Sequence, residues 1–420
     1  MRIKQIDTVC FVGAGSMGCY NSLLAGMAGY DAVVYDISEE QRRDFAARQQ
    51  ALGGRLARLG VFDRARSEEG RKRVRLEPDI EAAVRDADLL SESVPERLDV
   101  KRQVHRQLDA LCPAKTIQTT NTSSLLVSEL EDAVARGDRF AAMHFHMASV
   151  LVDIVGGPRT APETIDVLTR FVKSLDCVPF TKAKENRGYV YNSMVPGTLM
   201  PSIALVAAYN ESIEDVDRAW MACHDGELGP FARMDGVGLK LQYDIFVNGM
   251  KRWGENRQTR LEADMLKPYV ERGEYGFRTG KGFYSYPNPA YAAPGFLTDV
   301  EPRRDIDTVL VNGIILRALK LVIDGVTDFH VVDWVWMICR GARSGPFGWL
   351  DSKGIDIFLA ELEAEQRDLL YVQYEPDSVK RLLEPFVEKG QTGERAGKGF
   401  YTYPNPAYKD PAFLTESFAA

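Results

Sequence analysis

The first 180 residues alternate between short apolar runs and segments with helical periodicity. The apolar runs, which predict strands, cover residues 9–12, 32–35, 87–90, 116–120, 140–144, 150–155 and 178–180. Helical patterns fill residues 17–28, 100–111 and 163–175. Strands that alternate with helices over this length predict a doubly wound α/β sheet.

The pattern changes after residue 186, where long helical segments replace the strand alternation. This region contains a repeat, because GKGFYSYPNPAY at 280–291 returns as GKGFYTYPNPAY at 397–408, 117 residues later. Asp217 and the GPF turn at 229–231 return at an offset of 116. So many matches in one register indicate a duplicated helical domain. We therefore predict three domains, at residues 1–186, 187–300 and 301–420.

A glycine-rich turn follows the first predicted strand. Gly13, Gly15 and Gly18 have GxGxxG spacing and lead into a helix. In a dinucleotide-binding turn the first glycine permits the tight turn, the second lets the backbone approach a pyrophosphate, and the third lets the helix pack close to the sheet. The helix starts near Ser16 and Met17, and its N-terminal N–H groups and positive dipole end face the phosphates. We predict a Rossmann-type domain that binds a dinucleotide.

Asp36 ends the second apolar run, eighteen residues after Gly18. A carboxylate at this place accepts hydrogen bonds from the ribose hydroxyls of NAD and repels the 2′-phosphate of NADP. The alternative is an ordinary surface acid after a buried strand. We predict that the cofactor is NAD.

Composition excludes several classes of protein. The net charge of −8 argues against generic nucleic-acid binding. No apolar run approaches the ~20 residues that span a bilayer, and the chain enters its first strand directly. Six scattered cysteines without a CxxC pair or a His/Cys cluster are typical of reduced thiols and argue against zinc. We expect a cytoplasmic protein with no metal, no membrane partner and no nucleic acid.

The segment from Arg42 to Arg75 carries eleven Lys or Arg and four Asp or Glu. Its helical spacing predicts a basic helical hairpin after the second strand. The hairpin is either a solvated helical face, as charge runs usually are, or a docking surface for a polyphosphate ligand larger than NAD. Composition alone leaves these two interpretations equally open.

Candidate catalytic residues gather at predicted strand ends. His144 ends one strand and Asp153 lies at the end of the next apolar run. A histidine supported by an acid is a general base with a pKa near working pH. Residues 121–124 (NTSS) follow another strand, and Asn192 begins the helical region. We interpret the histidines at 105, 224 and 330 as structural.

These features together resemble the 3-hydroxyacyl-CoA dehydrogenase family. The matching motifs are GAGSMG at 13–18, ESVPE at 92–96 with Lys101, NTSS at 121–124, MHF at 143–145, GYVYN at 188–192, GPF at 229–231 and the GKGFY repeat. The resemblance covers essentially the whole chain. It implies an enzyme of fatty-acid β-oxidation that binds NAD in the N-terminal domain and acyl-CoA against the helical domain.

The resemblance also assigns roles. It implies that His144 takes the 3-hydroxyl proton, that Ser123 hydrogen-bonds the substrate oxygen, and that Asn192 holds the same region of the substrate. Asp153 then supports the base.

Further roles concern cofactor and CoA. The resemblance places Glu92 near the nicotinamide ribose and adds Lys101 and Asn121 to the cofactor-binding set. It makes the basic hairpin the CoA-binding insertion, with Arg55 and Arg58 as contacts.

The sequence departs from the family pattern beside the base. Residues 144–148 read HFHMA, so Met147 replaces an asparagine, Ala148 replaces a proline and His146 adds a rival base. The acid, Asp153, replaces a glutamate. One alternative is therefore a dehydrogenase of a free hydroxy acid or hydroxymethyl compound that resembles L-gulonate 3-dehydrogenase or lambda-crystallin. Another is a non-catalytic, NAD-binding structural protein.

The tandem helical copies also bear on assembly. Relatives with one copy usually pair through that domain between chains. Two copies in one chain predict either a monomer with an internal pseudo-dimer or a homodimer through another surface.

Overall fold

The computed structural model describes residues 2–58, 63–147, 149–182, 185–224, 227–371 and 375–415. The chain divides into two compact units. The first comprises Met1–Val190, Val335–Ala342 and Pro411–Ala420, and the second comprises Tyr191–Trp334 and Arg343–Asp410. The domain boundaries at 186/187 and 300/301 stay predictions.

The first unit is built on one sheet of eight strands within the described residues. The strands are β1 Thr8–Val12, β2 Asp31–Tyr35, β3 Val74–Leu76, β4 Leu89–Glu92, β5 Ile117–Thr120, β6 Phe140–Phe145, β7 Leu151–Gly156 and β8 Val178–Lys182. The helices are α1 Ser16–Met27, α2 Glu39–Arg58, α3 Arg64–Arg71, α4 Ile80–Val84, α5 Leu98–Leu111 and α6 Pro162–Ser174.

The strand order is β3-β2-β1-β4-β5-β6-β7-β8. Its first six members have the order that is typical of dinucleotide-binding sheets. All neighbouring pairs are parallel except β6 and β7, which run antiparallel. Central strands such as β4 are buried along their whole length, as the continuous apolar runs predict. The predicted doubly wound sheet is confirmed.

One detail of the sheet differs from the sequence-based expectation. Residues 74–76 form β3 beside β2, although the basic hairpin was predicted to extend to Arg75. Three residues centred on an arginine give too short an apolar signal to predict a strand. The hairpin itself consists of α2 and α3.

The second unit is helical in its described residues. Its helices are α7 Tyr191–Met194, α8 Pro196–Tyr209, α9 Ile213–Cys223, α10 Pro230–Val237, α11 Leu239–Trp253, α12 Arg257–Glu271, α13 Arg304–Ile323, α14 Phe329–Arg340, α15 Pro346–Lys353, α16 Ile355–Ala364 and α17 Pro376–Glu388. The last helix, α18 Pro411–Thr415, and the end of α14 from Val335 belong to the first unit.

A buried aspartate explains the repeated GPF turn in the first helical copy. Asp217 accepts the backbone N–H groups of Phe231 and Ala232, at 2.8 and 2.9 Å, and so caps the N-terminus of α10. The hydroxyl of Tyr284, from the GKGFY motif, donates to the same carboxylate at 2.9 Å. The two repeated motifs therefore meet at one buried acid and serve the fold.

The second copy repeats this arrangement. Asp333 accepts the N–H groups of Phe347 and Gly348, at 2.8 and 2.9 Å, and the hydroxyl of Tyr401 at 3.1 Å. The two copies thus share side-chain contacts as well as sequence. These equivalent contacts confirm the duplication that the sequence repeat predicts.

The two copies pack against each other through equivalent helices. Gly197 of α8 and Gly313 of α13 occupy the same position in the repeat, 116 residues apart. A Cβ on Gly197 would lie 2.6 Å from the carbonyl oxygen of Gly313, and a Cβ on Gly313 would overlap the carbonyl oxygen of Gly197. The helices therefore cross backbone to backbone, with a glycine from each copy at the crossing.

Candidate active site

The turn between β1 and α1 has the geometry that its glycines predict. Gly13 has φ +107°, and a Cβ there would lie 2.6 Å from the carbonyl oxygen of Ser93. A Cβ on Gly18 would overlap the carbonyl oxygen of Gly13, whereas a Cβ on Gly15 would meet nothing within 4 Å. The turn is thus closed on the protein side and open at Gly15. The first turn of α1 carries no acid to compete for an anion.

Asp36 is tied to this turn. Its carboxylate accepts the N–H of Ala14 at 2.7 Å and the N–H of Ser38 at 2.8 Å. Arg42 donates to the backbone carbonyl of Asp36 at 2.6 Å. Both carboxylate oxygens keep a lone pair for the hydroxyls of a ribose. An open glycine turn with a carboxylate held beside it fits a dinucleotide such as NAD.

Glu92, at the end of β4, is the centre of a buried charge cluster. Lys101 donates to Glu92 at 2.7 Å, Thr120 donates at 2.8 Å and the ring of His105 lies 3.1 Å away. All three of Glu92, Lys101 and His105 are 0% exposed. Burial by itself would raise the pKa of Glu92, but Lys101 and His105 lower it to about 2. The predicted contacts of Glu92 and Lys101 with the cofactor stay predictions. Because both side chains are completely buried, their burial favours an effect on the cofactor through neighbouring residues over direct contact.

Glu96 organises the loop after β5, a role that the sequence did not reveal. One of its oxygens accepts the hydroxyl of Thr122 at 2.5 Å and the N–H groups of Ser123 and Ser124, at 3.0 and 2.9 Å. Burial raises the pKa of Glu96, and Lys101 and these donors bring it below its ordinary value. The backbone of Ser123 is therefore fixed by an ionised carboxylate.

Asn121 joins the same loop to the strand that carries the base. Its side-chain oxygen accepts the N–H of Phe145 at 3.0 Å, and its amide donates to the hydroxyl of Ser93 at 3.3 Å. The ends of β4, β5 and β6 are thus linked by side chains.

His144, His146 and Asp153 form one buried group. His144 pairs with Asp153 in the antiparallel register of β6 and β7. Its Nδ1 lies 3.1 Å from Asp153 Oδ2, and Nε2 of His146 lies 2.7 Å from the same oxygen. The three residues are 7%, 8% and 0% exposed. One ring nitrogen of each histidine and one carboxylate oxygen of Asp153 lie within 4.8 Å of one another. The hydrogen bonds to the shared oxygen account for this spacing.

The electrostatics of this group follow from burial and from the shared carboxylate. Burial lowers the pKa of His144, the bond to Asp153 raises it and His146 lowers it, with a net shift below the ordinary value. Burial raises the pKa of Asp153, but the two histidines lower it to about 2. Asp153 is therefore an ionised acceptor, and both ring nitrogens that face it carry hydrogen.

Tyr189 covers the His144 ring. The two rings are stacked with centroids 4.9 Å apart and an interplanar angle of 19°. Tyr189 is 3% exposed and has φ +52°, an unusual conformation for a non-glycine residue. Tyr189 lies inside the GYVYN motif, but no local sequence pattern predicts that it stacks on His144.

A segment of α14 also reaches this part of the first unit. The hydroxyl of Ser149, in the turn between His146 and β7, donates to the thiol of Cys339 at 3.9 Å and accepts the N–H of Leu151 at 3.2 Å. Ser149 is held on its other side, where Tyr20 donates to its carbonyl oxygen at 3.3 Å. Burial, followed by Asp153, raises the pKa of the Cys339 thiol. The second helical copy therefore contributes a side chain beside the His-Asp-His group.

The remaining predicted site residues are located as follows. Asn192 lies in α7 of the second unit, and Arg55 is exposed on α2. Arg58 ends α2, but its side chain and the whole of Ala148 lie outside the described residues. Met147 is exposed. The substrate contacts predicted for Asn192, Arg55, Arg58 and the Ser123 hydroxyl stay predictions.

Two family models match the chain. The model described as "3-hydroxyacyl-CoA dehydrogenase, NAD binding domain" matches residues 8–185. The model described as "3-hydroxyacyl-CoA dehydrogenase, C-terminal domain" matches two segments, residues 188–286 and 308–403. These last two segments correspond to the two helical copies.

Individual proteins agree with the models. The chain is 28% identical to the human mitochondrial hydroxyacyl-coenzyme A dehydrogenase over 289 residues, which are 67% of this chain and 91% of the human protein. A diketoreductase solved in a study of dicarbonyl compounds is 31% identical, with a TM-score of 0.60, over 68% of this chain and 100% of that one. The 3-hydroxybutyryl-CoA dehydrogenase of Escherichia coli K12 shares the fold, with 20% identity and a TM-score of 0.71, over 92% of this chain and 99% of that one.

Among the described helices, none combines the length and apolarity that a bilayer-spanning segment needs. All six cysteines lie in described parts of the chain, and none forms a disulfide.

Proposed function

The chain belongs to the 3-hydroxyacyl-CoA dehydrogenase family, and from this premise we propose that it oxidises a 3-hydroxyacyl-CoA reversibly to the 3-oxoacyl-CoA with NAD. The observation that supports this most strongly is the bond between His144 Nδ1 and Asp153 at 3.1 Å. It supplies a buried base with a defined tautomer on the carboxyl-end side of the sheet, where open α/β folds bind their ligands.

His144 acts as the general base in this proposal. Its Nδ1 donates to Asp153, so its Nε2 has a lone pair to accept the substrate hydroxyl proton. NAD, when bound, supplies the acceptor for the hydride. Burial lowers the pKa of His144 and keeps the imidazole unprotonated before reaction, and Asp153 stabilises the imidazolium afterwards.

Polar residues around the base orient the substrate. We assign Ser123 to the substrate oxygen because its backbone is already fixed by Glu96 at 3.0 Å. From the family resemblance we propose that Asn192 also holds the substrate. Asn121 positions the end of β6 through its bond to Phe145 at 3.0 Å.

The basic helices α2 and α3 are the proposed site for the CoA phosphates. The Arg42–Arg75 segment has a large excess of basic residues, and Arg55 is exposed on α2. Exposed arginines bind phosphates by charge and by bidentate hydrogen bonds. Arg58 is the second proposed contact.

A second candidate is a dehydrogenase that acts on a free hydroxy acid or hydroxymethyl compound. The HFHMA segment that replaces the family pattern lies directly after the base, and Met147 is exposed there. The 31% identical diketoreductase acts on dicarbonyl compounds. A substrate without CoA leaves the basic helices as a solvated surface.

NADH oxidation with acetoacetyl-CoA and with free acetoacetate tests the choice. The CoA proposal predicts a much higher kcat/KM for the thioester, a KM that rises with salt, and a KM that rises in Arg55→Glu. Salt acts because charges at a surface are screened over ~8–10 Å at 0.10–0.15 M. The KM for NADH is the internal control and should change little. Equal rates with the free acid, together with a KM indifferent to salt and to Arg55→Glu, contradict the proposal.

The wider role follows from the family. We propose a place in fatty-acid β-oxidation, in the reducing cytoplasm that suits six free thiols. We also propose that the internal pairing of the helical copies replaces pairing between chains, so that the protein is a monomer. Sedimentation over a wide concentration range tests the last point, since a concentration-dependent mass contradicts it.

A further inference from the structure

The second imidazole beside the base has no part in the mechanism above. His146 is two residues after His144, and the ring centroids are 4.4 Å apart at 74°. Its Nε2 makes the shorter of the two bonds to Asp153, 2.7 Å against 3.1 Å for His144. Both bonds end on the same oxygen, Oδ2. The carboxylate that supports the base is therefore divided between two donors.

We propose that His146 is a positioning residue that acts through Asp153, lowering the proton affinity of His144 by taking a share of the carboxylate oxygen. This inference rests on the proposed function only for its catalytic consequence.

The physical argument concerns how one oxygen serves two donors. A carboxylate oxygen that already accepts one N–H presents a weaker negative potential to a second N–H donor. Because His146 holds the shorter bond, His144 gains less from becoming an imidazolium than it would with Asp153 to itself. A proton on His146 would act in the same direction by like-charge repulsion at short range.

The consequence for catalysis has two sides. A His144 of lower proton affinity stays unprotonated, and so competent as a base, at lower pH. In the reverse direction the imidazolium of His144 is a stronger acid and gives its proton to the 3-oxo oxygen more readily. Sharing thus moves the pH ranges of both directions toward acid pH: oxidation gains at its acid limit, whereas reduction, which needs a protonated His144, loses at its alkaline limit.

The other ionisable groups near the pair do not have the same effect. Glu96 raises the pKa of His144, as Asp153 does, so neither carboxylate explains a lowering. Tyr189 stacks on His144, and burial keeps its pKa well above the ordinary value, so it is uncharged. Burial and Asp153 raise the pKa of Cys339, so this thiol is neutral too. Among the described neighbours, His146 is the group that opposes a proton on His144.

Three variants separate the possible causes. His146→Phe removes the competing donor, so His144 should bind its proton more tightly. His146→Gln keeps a neutral donor for Asp153, so the proton affinity of His144 should stay near that of the parent. Asp153→Asn removes the shared acceptor charge and should lower the affinity below the parent. His330→Gln, at a side chain that is 42% exposed in the second unit, is the matched control.

The direct measurement is a histidine NMR titration of the protein without substrate or cofactor, in EDTA. The chain has only five histidines, so single variants assign the signals. The proposal predicts that the His144 midpoint moves to higher pH in His146→Phe and hardly moves in His146→Gln. An unchanged midpoint in His146→Phe overturns it. Equal shifts in both variants also overturn it, because charge and not sharing of the oxygen would then be the cause.

The kinetic measurement is the pH profile of kcat/KM with acetoacetyl-CoA and with a 3-hydroxyacyl-CoA. On the acid side of the oxidation profile, His146→Phe should lose about tenfold relative to the parent, the effect typical of a change in close electrostatic partners. A merely structural role would lower the rate equally at all pH values and would overturn the proposal. If neither substrate is turned over, the proposed function fails, while the NMR titration still decides the role of His146.

Discussion

Gly197→Ala probes the pairing of the two helical copies at its closest point. The new Cβ would lie 2.6 Å from the carbonyl oxygen of Gly313 and 2.7 Å from the Cα of Ile314, where ordinary contact begins at 3.4 Å. Both atoms are backbone, so no side chain can rotate out of the way. The two helices must move apart by most of an ångström or bend.

The magnitude follows from two opposing terms. Overpacking a tight contact costs about 1–3 kcal/mol, and a backbone contact places this substitution at the upper end. Alanine recovers about 0.5–1 kcal/mol over glycine within a helix. We expect a net loss of about 2 kcal/mol in the free energy of unfolding of the helical unit. For a unit of this size that is a fall of about 4–8 °C in Tm.

The assay is urea and thermal unfolding followed by tryptophan fluorescence. It reports on the helical copies because all five tryptophans lie between residues 220 and 349. Gly236→Ala is the matched control, since a Cβ at this exposed helical glycine meets nothing within 4 Å. The control should gain up to about 1 kcal/mol. A Gly197→Ala protein as stable as the parent, or a control that is destabilised equally, refutes the backbone crossing.

Three further predictions concern the first unit. Asp36→Ala should raise the KM for NAD and lower that for NADP, and a parent that prefers NADP contradicts the assignment. Glu92→Gln should cost about 3–5 kcal/mol because the buried Lys101 loses its acid at 2.7 Å and keeps only Glu96, at 3.6 Å. Since the folded pKa of Glu92 is about 2, below its unfolded value, its contribution is present above pH ~4.5 and lost as pH falls toward 2. The variant should therefore lose this part of the acid transition in circular dichroism, and an unchanged transition counts against the cluster. Cys339→Ala should lower kcat about threefold because Ser149 loses its hydrogen-bond acceptor. Cys223→Ala, at the equivalent position of the first repeat, should have no effect on kcat. Equal effects of the two substitutions contradict a role for the contact between Ser149 and Cys339.

The sheet and its ligand-binding edge could be predicted because their signals are local. GxGxxG spacing between a strand and a helix requires a particular backbone, and Gly13 has the positive φ that it implies. His144 and Asp153 could be paired because both follow apolar runs that proved to be neighbouring strands. The duplicated helical region was visible because two copies of one motif lie in the same chain.

Other features depend on contacts that no local pattern encodes. The antiparallel direction of β7 is set by its connection and neighbours. The burial of Glu92 with Lys101 and His105 depends on β4 and α5 meeting in the core. His146 was recognised as a rival base, but its shorter bond to Asp153 requires the geometry of the strand pair. Cys339 reaches Ser149 from 190 residues away.

The most direct test of the central claim is steady-state turnover of acetoacetyl-CoA with NADH by the parent and by His144→Ala. We predict that the parent turns over the thioester and that His144→Ala loses at least ~10²-fold in kcat, the usual contribution of a general base. The variant should bind NADH as the parent does, because His144 lies outside the glycine turn and Asp36. Turnover that survives in His144→Ala, or a parent that oxidises no NADH with this thioester, contradicts the account.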